Sequence, residues 1–110
     1  MNVNVSTSAD YALVSVEGRV DTTNAGELEK TLVEVIEGGC TKIVLDCSAL
    51  SYISSSGLRV FLVVQKRMIA IKGQFCLCNL QPGIKEIFDI SGFSSIFSLF
   101  PDLESAIKGH

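Results

Sequence analysis

Lys42-Ile43-Val44-Leu45-Asp46 is a five-residue run, apolar in its middle with a charge at each end, and Phe75 to Cys78 is a second apolar run some thirty residues on. Short apolar runs of this kind, too brief for a helix, are how strands covered on both faces read. Two of them separated by a long segment without Pro or Gly, Leu58 to Lys72, require a parallel sheet with a crossover helix between its strands. By propensity alone Val60 to Val64 also reads as a strand. Length decides against it, because about fifteen uninterrupted residues exceed a strand, and the serines before the run are good helix N-caps.

The flanking segments extend this pattern. Val3 and Val5, then Tyr11, Leu13 and Ser15, alternate with polar neighbours around Ser8-Ala9-Asp10, which predicts an opening hairpin. After Gly18-Arg19-Val20-Asp21 the period changes: Ala25, Leu28, Leu32, Val35 and Ile36 mark one face of an amphipathic helix. Asn24 with Glu27 resembles a capping box at its start, and Gly38-Gly39 ends it. Pro82 suits the first turn of a helix carrying Ile84, Ile87 and Phe88 and closing at Ser91-Gly92. Ile96 to Leu99 reads as a short strand and Pro101 to Lys108 as a short helix. The expected fold is α/β with the order β-β-α-β-α-β-α-β-α, a mostly parallel sheet with an antiparallel N-terminal edge and helices packed against it, in a single domain spanning residues 1–110.

The sequence of 110 residues is 47% hydrophobic and 19% charged, enough to bury a core. Its longest charge-free stretches, Cys47 to Leu58, Gly73 to Ile84 and Ile90 to Pro101, fall short of the ~18 apolar residues of a spanning helix. The net charge of −3, with no basic run, argues against a nucleic-acid binder. The N-terminus has no basic segment followed by an apolar one, so a signal peptide is not expected and a cytoplasmic location is. Cys40, Cys47, Cys76 and Cys78 are therefore expected as thiols. Cys76 and Cys78 share a strand face, but one Cys-x-Cys pair without a second is a weak zinc signal, and small core filler is the simpler role.

Catalysis finds little support. A serine nucleophile needs a base, and the only histidine is His110, the last residue. Gly-x-Ser-x-Gly and the P-loop pattern are both absent. What remains is Ser54-Ser55-Ser56-Gly57 at a strand-to-helix junction. One serine suffices as an N-cap. Three put at least one hydroxyl into solvent at the positive end of a helix, where a phosphate is tolerated.

Ile43 through Leu58, containing Asp46-Cys47-Ser48 and Ser54-Ser55-Ser56-Gly57, resembles the signature of STAS-domain anti-sigma factor antagonists. Gly18-Arg19-Val20-Asp21 resembles that family's segment after the second strand, and Pro82 through Gly92 its third-helix segment. The resemblance implies a STAS fold and a regulator without enzymatic activity or cofactor. It also implies a partner-switching cycle. The unmodified antagonist binds an anti-sigma factor that is a serine kinase of the histidine-kinase-like ATPase fold and so releases its target; phosphorylation turns binding off, and a PP2C-type phosphatase restores it. The phosphoacceptor carried over from the family motif is Ser55, with Ser54 and Ser56 as second choices, because Ser54 stands where the family often has Asp. Implied partner contacts are Asp21, Thr22, Ser54, Ser56, Gly57, Leu58 and Arg59. Asp21 reads equally as a turn carboxylate at the helix start, and Leu58 as core. The competing function is a non-switching STAS scaffold or transporter-associated subunit, which has no need of a hydroxyl at Ser55.

Overall fold

A computed structural model describes residues 1–109; His110 lies outside them. The elements are β1 (Asn2–Thr7), β2 (Ala12–Val20), α1 (Ala25–Glu37), β3 (Lys42–Asp46), β4 (Leu50–Ile53), α2 (Ser55–Ala70), β5 (Gln74–Cys78), α3 (Pro82–Ser91), a 3-10 turn (Phe93–Ser95), β6 (Ser98–Phe100) and α4 (Leu103–Lys108). The six-stranded sheet runs β1-β2-β3-β5-β6, with β4 beside β2. β1 is antiparallel to β2, and the other pairings are parallel. This is the expected mixed α/β architecture with one strand and one 3-10 turn more, since nothing in the sequence pattern marks β4 or the turn.

β3 shows why the central runs are apolar throughout. Ile43 and Leu45 enter a core built with α1, α2 and α3, while Val44 packs on the opposite face with Cys76, Cys78 and Ala106 of α4. Both sheet faces are covered. On the three-helix side Phe61 of α2 meets Phe75 edge-on with ring centroids 6.2 Å apart, and Phe88 and Phe97 complete the cluster. On the other side the Lys42 ammonium donates to the carbonyls of Ile107 (2.7 Å) and Gly109 (2.9 Å), where a cation complements the C-terminal end of α4.

Several local expectations are corrected. The fully buried face of β2 is Ala12, Val14 and Val16, not Tyr11, Leu13 and Ser15; Tyr11 and Leu13 pack instead against the α4 side. Val5 is exposed. The capping box at α1 does not form: Asn24 makes no side-chain cap to the helix, and its amide is used by the preceding turn. α2 begins at Ser55 rather than Leu58, so two of the serines are inside the helix. β6 starts at Ser98, because Ile96 follows the 3-10 turn, and α4 starts at Leu103 behind an Asp102 cap. The four cysteines are free thiols. Burial pushes the Cys47 and Cys76 thiols up, and it pushes Cys78 up to about 12, where the nearby Asp46 and Asp102 carboxylates add to the effect.

Candidate functional site

Parallel pairing of β4 with β2 positions the serines. Val20 stands opposite Ile53, and the Ser54 N–H donates to the Val20 carbonyl at 2.9 Å, so the chain leaves both strands at the same C-terminal edge. That edge is where parallel sheets place their ligand-binding loops. One loop is Asp21 to Asn24 and the other is the serine junction.

The Asp21 loop is organised from within. The Asp21 carboxylate accepts from the Thr23 N–H (2.9 Å) and the Thr23 hydroxyl (2.6 Å), which hold its carboxyl below the usual carboxylate range. The Asp21 N–H in turn donates to the Asn24 side chain at 2.9 Å, and the Asn24 amide donates to the Arg19 carbonyl at 3.0 Å. Asp21 therefore fixes its own turn. Thr22, exposed between these anchors, reaches across to the serine loop, its Oγ1 lying 3.4 Å from Ser56 Oγ.

Three serines alike in sequence differ in occupation. Ser54 is the N-cap, its Oγ accepting from the Gly57 N–H at 3.2 Å. Ser56 is half-buried and faces Thr22. Ser55, the first residue of α2, is exposed, and its hydroxyl has no hydrogen-bond partner among the described residues. It stands beside the free N–H groups of the first helical turn, which holds no acidic side chain.

Gly57 is a correction to the expected contacts. It is buried, and a Cβ there would lie 2.6 Å from Ile53 Cγ1 and 2.8 Å from Val20 Cγ1. Its absent side chain lets α2 close onto the ends of β2 and β4, so it supports the site without facing a partner. Gly57→Ala is expected to destabilise the fold by about 1–3 kcal/mol through overpacking. Urea unfolding checks this; an unchanged midpoint refutes the close packing. Leu58 is half-buried against the core, and Arg59 is exposed.

Sequence reasoning missed a neighbouring pair. Gly18 has φ +88° where the β2–β4 register shifts, a bulge that re-aims the following residue. The Arg19 guanidinium lies 4.1 Å above the Tyr52 ring, a cation–π contact on the exposed surface. The signal was an arginine directly after a glycine, but only the pairing of β4 brings Tyr52 beneath it. A shallow cavity of about 390 Å³, lined by residues including Ser8, Tyr11, Glu34 and Thr41, opens at the other end of the strands, away from the serines. Among the described residues no cluster of three potential metal ligands occurs, and no helix is long and apolar enough to cross a membrane.

The family model of the STAS domain matches residues 2–106. The chain belongs to the STAS-domain family. This STAS domain is 42% identical over 94 residues to BtrV of Bordetella bronchiseptica, described as a candidate anti-sigma factor antagonist, covering 86% of this chain and 81% of BtrV. It is 28% identical over 108 residues to the anti-sigma-B factor antagonist of Bacillus subtilis, covering 98% of each. Its fold is that of the Bacillus cell fate determinant SpoIIAA, solved in the phosphorylated form. The TM-score there is 0.76 at 21% identity, over 97% of both chains.

Proposed function

We propose that this STAS domain, one unit over residues 1–110, is an anti-sigma factor antagonist in a partner-switching pathway. The observation that carries this is the free, exposed Ser55 hydroxyl beside two serines whose hydroxyls are engaged. BtrV and the Bacillus subtilis relative are named as antagonists, which supports the same role here. The unmodified protein binds an anti-sigma factor through the surface around Thr22, Ser54, Ser56, Leu58 and Arg59, with Asp21 shaping the adjoining turn. That partner is a serine kinase of the histidine-kinase-like ATPase fold. Bound, it transfers the γ-phosphoryl group of ATP to Ser55 Oγ; the hydroxyl proton is lost, ADP leaves, and the complex dissociates. A PP2C-type phosphatase hydrolyses the phosphoserine and restores binding. The protein acts in the cytoplasm as a regulator, not an enzyme, and needs no cofactor of its own.

Incubation with the cognate kinase and ATP, followed by mass spectrometry of peptides, is the test. One phosphate on Ser55 is expected. Stable binding without phosphate on any serine instead supports a non-switching scaffold or transporter-associated module.

A further inference from the structure

α2 buries Gly57, Val60, Phe61, Val64 and Met68, whereas Ser55 and Arg59 are both exposed. They are four apart on one helix, so the two side chains stand one above the other on its outward face, with Cβ atoms about 5–6 Å apart. The Arg59 guanidinium has no carboxylate partner among the described residues, whose ion pairs are Lys85 with Asp89 and Lys108 with Glu104. Two other charged groups at this end are engaged, Asp21 by Thr23 and Arg19 by the Tyr52 ring, while Glu27 in the first turn of α1 makes no ion pair with Arg59.

We infer that Arg59 receives the phosphoryl group of Ser55 and holds it on the helix. An acidic group N-terminal to a basic one at this spacing is the favourable order on a helix, and a guanidinium fork matches phosphate oxygens in pairs. The inference rests on Ser55 as the acceptor and extends its consequence. In the unmodified protein Arg59 is free to meet an acidic residue of the partner. In the modified protein it is neutralised by its own chain, so phosphorylation adds an anion to the docking surface and withdraws a cation from it at once. Arg59 is a positioning residue for the phosphate, not a catalytic one.

The experiment uses the full chain with phosphoserine installed at position 55 during synthesis, so the sample does not depend on any kinase. Phosphorus-31 NMR follows the second phosphate ionisation. A neighbouring guanidinium favours the dianion and lowers that pKa. Arg59→Gln is expected to raise it by about 0.15–0.4 of a pH unit, from the usual strength of such helical pairs. Arg59→Lys should fall between, and Arg67→Gln, exposed two turns further along α2, should match the unsubstituted chain. Identical titrations of the unsubstituted chain and Arg59→Gln, or an equal rise in Arg67→Gln, overturn the inference. Kinase labelling of the unmodified protein tests the acceptor assignment separately, so either can fail alone.

Discussion

Ser55→Ala is expected to abolish phosphate incorporation by the partner kinase while changing the affinity of the unmodified protein by no more than about twofold, the usual range for an exposed substitution. The Ser55 hydroxyl bonds to nothing among the described residues and lies at the first position of α2, where Ala is a good helix former. Removing it therefore takes away the acceptor and leaves the surface standing. Ser54→Ala provides the contrast. It loses the cap on the Gly57 N–H, which costs about 0.5–2 kcal/mol of stability, but retains labelling. Phosphate that persists in Ser55→Ala and maps to Ser54 or Ser56 overturns the assignment.

Phosphorylation of Ser55 is expected to weaken partner binding about a hundredfold or more, equivalent to ~2.7 kcal/mol, without unfolding any part of the domain. The phosphate adds roughly −1.5 to −2 charges. In the free protein it sits at a helix N-terminus, which favours an anion. In the complex the same group is stripped of water against a surface shaped for a neutral hydroxyl, and that desolvation outweighs what a single helical ion pair returns. Partner affinity, melting temperature and amide exchange of the two forms distinguish this from refolding. Loss of protection along α2 on phosphorylation, comparable to the loss of binding, makes the switch conformational and refutes surface exclusion.

How far the sequence was legible depended on whether the deciding forces were local. β3 was read to the residue because a charge at each end of an apolar run marks where a doubly covered strand enters and leaves the interior. α3 was bounded by Pro82 and by Gly92, whose φ of +81° closes the helix in the left-handed conformation. β4 was invisible because Ser51 and Tyr52 are exposed and the strand exists only through its pairing with β2. β2 misled because apolar residues line both of its faces, so alternation alone did not show which faced the three helices. At the site, Ser54 to Ser56 were legible as a cluster. The family resemblance put Ser55 first among them; the residues alone did not, since their difference depends on which hydroxyl meets Gly57 and which meets Thr22 across the sheet edge.

β2 is paired in two registers, with β3 from Ala12 to Ser15 and with β4 from Gly18 to Val20, and the bulge lies at the start of the second. The central ladder of β3 with β5 is continuous, whereas the strand bearing the serines is tied to a separate short stretch. The serine junction thus meets the sheet edge through only three residue pairs, while α2, which carries Ser55 and Ser56, is seated in the core through Phe61 against Phe75 of β5. The serines are therefore fastened on two sides, by a short ladder to the sheet edge and by a long helix to the aromatic core.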